Sequence, residues 1–253
     1  MDTYDDHDIA TQDTHTGDAP RAPEDRISRT LRLVAGGLLV VVLASAISFA
    51  LYLQTLGAPR SAVERDIERY KTAVAEQPEV LANHVKLAYS YAISDRFDEA
   101  MEIITRAEQM TKAPRVEVQL ARAEIERAAA HYDKAIETYD LVARIAEEEY
   151  ALQTAELKKQ QITFQPPNST LAAALRGRSI AKWETGDRRG AIADLDEALD
   201  IEPTDADAMV RIGGYYAQSD DASLAAAAYR RALQFVPDDP EALAGLRELG
   251  LGR

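Results

Sequence analysis

Pro203 and Pro237 lie 34 residues apart, and the residues between them leave few folds open. Met209, Ile212, Gly213 and Tyr216 recur on a period of 3.6. A polar turn, Ser219-Asp220-Asp221, interrupts them. Ala225, Tyr229 and Ala232 then resume the period until Pro237. Residues three and four apart share one face of a helix, so each run predicts an amphipathic helix with one buried stripe. Proline stops a helix because it has no N–H and its ring clashes with the preceding turn. The segment therefore reads as two helices folded back on each other.

Small residues, aromatics and a closing proline at this spacing resemble the tetratricopeptide repeat, a helix–turn–helix unit of 34 residues. In that family a small residue in each helix lets the two approach closely. Gly213 and Ala225 hold those places here, Tyr216, Tyr229 and Ala232 hold the packing places, and Pro237 the terminal one. The resemblance implies an all-α solenoid of about four repeats, with an N-terminal half repeat and a C-terminal capping helix, behind one transmembrane helix.

Three earlier stretches follow the pattern. In the first repeat, from Leu81, Leu87, Ala88 and Tyr91 match the first helix, Asp95-Arg96-Phe97 the turn, and Ala100, Ile104 and Ala107 the second helix. The next repeat starts at Val116, with Ala123, Ala135, Tyr139 and Val142 in place. Glu126 stands where the first helix has its aromatic, and no proline closes the unit, so its second helix is expected to run to about Gln161. The third starts near Ala172 and carries Ser179, Gly186-Asp187, Ala191, Leu195, Ala198 and Pro203. Before them, Ser61 and Glu64 have the spacing of a capping box, and Tyr70, Ala73 and Pro78 that of a second helix alone. After Pro240, EALAGLREL reads as a helix covering the apolar end of the stack, which solenoids need for solubility. The sequon Asn168-Ser169-Thr170 follows two prolines.

The chain thus divides into an acidic tail (1–30), a transmembrane helix (31–56), the half repeat with repeats one and two and the extended helix (61–163), a proline-containing loop (164–171), and repeats three and four with the cap (172–253). The tail has too few apolar residues to offset the entropy of folding and is expected to be disordered. Its Asp5-Asp6-His7-Asp8 cluster is read as solvated acid rather than a metal site. Leu33 to Leu53 is a 21-residue run without a charge, the length that spans a bilayer core of about 30 Å. Four Arg precede the run and four Arg or Lys follow it, but three of the former lie close to it. The positive-inside rule therefore favours the N-terminus inside and the repeats outside the cytoplasmic membrane. Ala44-Ser45-Ala46 resembles a cleavage site, but the long charged leader and the apolar residues beyond it favour an uncleaved anchor.

The net charge of −14 disfavours nucleic acid, which is bound by displacing counterions with Lys and Arg. The absence of cysteine excludes disulfides, thiol nucleophiles and cysteine zinc sites. The four histidines do not cluster, and no H-E-x-x-H, G-x-S-x-G or phosphate loop occurs, so neither catalysis, cofactor nor metal is expected. The family resemblance implies a groove lined by the first helices and used for protein or peptide partners. Its lining would include Tyr89, Arg127, Arg176, Ile180, Trp183 and Val210. Trp and Arg are frequent binding anchors. The Lys/Asn clamp of chaperone-binding members is replaced by Val85 and Tyr89, which disfavours that partner class. The expected function is a membrane-anchored scaffold for envelope proteins. Its alternative is a regulatory accessory subunit of a membrane enzyme, or of a secretion or cytochrome c maturation complex.

Overall fold

The computed structural model describes residues 61–251. The acidic tail and the apolar run from Leu33 lie outside the described residues. Among the described residues, no helix is long and apolar enough to cross a membrane.

Ten α-helices make up the described chain: α1 (Ala62–Glu76), α2 (Leu81–Ile93), α3 (Phe97–Gln109), α4 (Val116–Ala128), α5 (Tyr132–Lys159), α6 (Ser169–Glu184), α7 (Arg188–Ile201), α8 (Ala206–Gln218), α9 (Ala222–Phe235) and α10 (Pro240–Glu248). They form an all-helical solenoid of helix–turn–helix repeats: α1 is the half repeat, α2/α3, α4/α5, α6/α7 and α8/α9 the pairs, and α10 the cap. Helix α1 opens on the Ser61/Glu64 capping box, each side chain bonding the other residue's amide.

The turn inside each pair has one geometry. Asp95, Ala130, Gly186 and Asp220 follow the first helices at equivalent positions, all with positive φ of 57° to 93°. In each case the next amide bonds back to the first helix, as in Arg96 to Tyr91 and Asp221 to Tyr216. This αL cap satisfies helix-end carbonyls that would otherwise be unpaired.

The core is a series of small residues receiving large ones. Tyr229 of α9 lies between two glycines: a Cβ at Gly213 would approach its ring to 2.6 Å, and one at Gly245 to 2.4 Å. Tyr139 of α5 lies against Gly177 of the following repeat in the same way, at 2.3 Å. Gly177, Arg211 and Gly245 are spaced by 34, as are Leu195 and Tyr229. Each tyrosine thus meets a glycine of the next repeat. Where Leu195 replaces the tyrosine, the corresponding position is free to be Arg211.

Between repeats two and three, the equivalent residues Ala123 and Ser179 are 56 apart, 22 more than one repeat. The surplus goes into the distal part of α5 and the segment that follows it. Helix α5 has 28 residues and is about 42 Å long. Its buried residues, Ala135, Tyr139, Val142 and Ala146, all lie in its first half or just past it. Helix α6 starts at Ser169, not Ala172, because the Asn168 side chain caps it. The loop expected over 164–171 is shortened accordingly, and the sequon's Ser169-Thr170 lies in the first helical turn.

Polar bonds also tie the helices to one another. Glu126 is only 3 % exposed although acidic. It accepts from Arg122 at 3.0 Å and from the Thr138 hydroxyl at 2.7 Å, while Arg122 also reaches Glu108 at 2.7 Å. The carboxylate in the aromatic place therefore joins α3, α4 and α5 by hydrogen bonds. Arg178 makes two bonds to Asp194, at 2.9 and 2.7 Å, and a third to Asp140 at 2.6 Å. Lys182 adds a contact to Asp194 at 2.9 Å. This cluster links α5, α6 and α7 across the insertion.

Candidate protein-binding groove

First helices of three successive repeats converge on one cleft of about 390 Å³. Helix α4 contributes Glu124 and Arg127, α6 contributes Arg176, Gly177 and Ile180, and α8 contributes Asp207 and Arg211. The helical period brings them together, since positions one turn apart on each first helix face the same side.

Tyr139 reaches the cleft from behind. Its ring is buried against Gly177, and its hydroxyl accepts from Arg127 Nε at 3.3 Å. Burial pushes this phenol up to about 12, with Arg127 pulling the other way. Tyr89 on α2 is pushed up as well, first by burial and then by the adjacent Glu124 carboxylate. Both tyrosines therefore stay neutral donors at physiological pH.

The charges divide into satisfied and unsatisfied. Arg176 holds Glu202 at 2.6 Å and Asp205 at 2.8 Å, so its guanidinium is already matched by two carboxylates. Among the described residues, Arg127, Arg211, Glu124 and Asp207 form no salt bridge with one another or with other side chains. The open charges of the cleft are thus of both signs, with Ile180 supplying apolar surface between them.

Trp183 lies one turn beyond Ile180 on α6. Its ring stacks on Tyr215 of α8, with centroids 3.9 Å apart and planes 2° off parallel. Its indole N–H donates to Gln218 at 3.3 Å, and the Arg188 guanidinium lies 5.1 Å from the ring centroid. The side chain is half-buried, so it packs on the next repeat and still shows an edge.

Of the residues singled out in the sequence, Arg127, Arg176 and Ile180 share the cleft. Tyr89 is next to it through Glu124. Trp183 is displaced along α6. Val210 is 8 % exposed and belongs to the core around Met209 and Tyr229. Arg211 and the floor residue Tyr139 were not among the expected partner contacts. Arg211 had a signal: it is the charged member of a series that is otherwise Gly177 and Gly245.

Residues 176–240 match the family model of the tetratricopeptide repeat. Over those residues the chain carries the tetratricopeptide repeat. No curated protein matches the chain. Solved structures share the fold at low identity. PilW, described as a widely conserved type IV pilus biogenesis factor, aligns with a TM-score of 0.57 and 14% identity, over 74% of this chain and 80% of that one. TTC0263 of Thermus thermophilus, a thermophilic tetratricopeptide protein, aligns at 0.54 and 16%, over 81% and 96%. MamA from Desulfovibrio magneticus RS-1 aligns at 0.53 and 11%, over 76% and 94%. At these identities the likeness is one of fold.

Proposed function

We propose that this chain is a membrane-anchored scaffold whose repeats hold a protein or peptide partner on the outer side of a bacterial cytoplasmic membrane. The observation that carries the binding part is the cleft between α4, α6 and α8, where open charges of both signs surround Ile180 and Tyr139. Such a surface pairs with a peptide's own mixed charges and main-chain groups, and charge complementarity there sets specificity and association rate. It suits neither a polyanion nor a purely apolar ligand. The membrane part rests on the uncharged run Leu33–Leu53 and on the arginines close before it.

Photo-crosslinking in native membranes tests the reading. A photoreactive side chain at Arg211, compared with one at Glu197 on α7, is expected to give protein adducts at Arg211 alone. The adducts are expected to weaken in Asp207→Lys. One stoichiometric enzyme among them favours the accessory-subunit reading, and several exported proteins favour the scaffold. Equal labelling at both positions overturns the groove. Protease added to spheroplasts is expected to digest the repeats; protection would invert the topology.

A further inference from the structure

The groove does not involve the distal part of α5, which extends about 20 Å beyond its last buried residue, Ala146. A second stripe runs along this arm, roughly opposite the buried one: Ile145, Glu148, Leu152, Ala155 and Lys159. The spacing is 3-4-3-4, the seam of a helix that pairs with another helix. Leu152 is 72% exposed, so nothing in the described chain covers the centre of the stripe.

The stripe is complementary to itself in reverse. Read from both ends, Glu148 meets Lys159, and Leu152 meets Ala155. We propose that the distal arms of two copies of this chain pair antiparallel about a two-fold axis between residues 153 and 154. Glu148 of one copy then faces Lys159 of the partner copy twice, and each Leu152 packs over the partner copy's Ala155. A two-fold interface requires this reciprocity: if i touches j, then j touches i. Parallel pairing brings Glu148 against Glu148 and Lys159 against Lys159, and is disfavoured by like charge. Lys159 now bonds Glu156 at 3.2 Å, but both are exposed, and such a pair is easily exchanged. Two arms of about 20 Å give less than a standard interface, so the dimer is weak and concentration-dependent.

The chain has no cysteine, which makes the geometry directly testable. Within one chain, residues 148 and 159 are about 16 Å apart along the helix, beyond the roughly 7 Å that a disulfide bridges. Oxidation of full-length E148C/K159C in membranes is therefore expected to give a linked dimer, and E148C alone none. In detergent, sedimentation is expected to show E148K weakening dimerisation about tenfold and E148K/K159E restoring it. A chain that stays monomeric at high concentration overturns the proposal. So does a dimer that E148K leaves unchanged, or one that E148C alone traps. Groove adducts at Arg211 do not depend on these outcomes, so the two readings fail separately.

Discussion

The two halves of the stack start their helices differently. Helices α6 to α10 each begin on a side chain that caps them: Asn168, Asp187, Asp205, Asp221 and Asp239 accept the amide three residues on. Helices α2 to α5 begin on Val80, Arg96, Arg115 and His131 and have no side-chain cap. The C-terminal half also keeps the strict 34-residue register, whereas the N-terminal half relies on the Glu108–Arg122–Glu126–Thr138 bonds between helices. The C-terminal helices are specified locally, each by its own first residues. The N-terminal helices are specified by their neighbours. At the boundary, the Tyr139–Gly177 contact and the Arg178 cluster carry the stack across 22 extra residues. Register between repeats is therefore a property of the facing surfaces and not of the length of the connection.

The largest expected effect is at that boundary. Gly177→Val puts side-chain atoms inside the Tyr139 ring and is expected to cost about 3 kcal/mol by denaturant unfolding, with the two halves separating into distinct transitions. The same change at Gly245 is expected to release α10 alone and to move the main transition less. Arg178→Met leaves Asp194, only 3 % exposed, with Lys182 as its remaining partner. Its expected cost is about 2 kcal/mol, below that of a fully buried pair because Lys182 persists.

The cap contrast makes a prediction of opposite sign in the two halves. Asp187→Ala is expected to lose about 1 kcal/mol, and Arg115→Asp to gain up to about 1 kcal/mol by supplying the missing cap on α4. Arg115 already has the extended backbone, φ −100° and ψ 128°, that a capping residue adopts. Thermal unfolding of both variants checks this. If Arg115→Asp gains nothing, the difference between the halves is not one of capping.

The smallest effect is the pH dependence contributed by Glu202 in the C-terminal half. Bonds from Ser169 and then Arg176 hold the Glu202 carboxyl below its ordinary 4.5. The folded state binds this proton more weakly than the unfolded one. The stabilisation is therefore complete above pH 4.5 and is lost as pH falls through the depressed value. Both groups are partly exposed, so its size is roughly half a kcal/mol. Arg176→Met is expected to flatten this part of the acid profile.

Much of the fold is readable in the residues. The pairs at Ala88/Ala100 and Gly213/Ala225, the turns, and the overlong helix after a missing proline all follow from periodicity and breakers, which act locally. The receiving glycines were missed. Gly177 and Gly245 matter only through a tyrosine on another helix, and a small residue inside a helix does not announce what packs on it. The groove was readable in part. Arg127, Arg176 and Ile180 lie on the right face by helical phase. That Arg176 is matched by Glu202 and Asp205, and that Val210 is in the core, depends on side chains 26 or more residues away or on the tilt of the next repeat. No local pattern encodes either.

The most direct measurement is a double-mutant cycle on the boundary joint, using Tyr139→Leu, Gly177→Ala and both together. By the 34-residue register, Arg211 stands at the position of Gly177 where the facing residue is Leu195 and not a tyrosine. Gly177→Ala alone is therefore expected to cost about 2 kcal/mol despite alanine's better helix propensity. The double variant is expected to recover most of that, giving a coupling above about 1 kcal/mol. Additive effects would mean that Tyr139 and Gly177 do not form the joint, and that the two halves are not one stack.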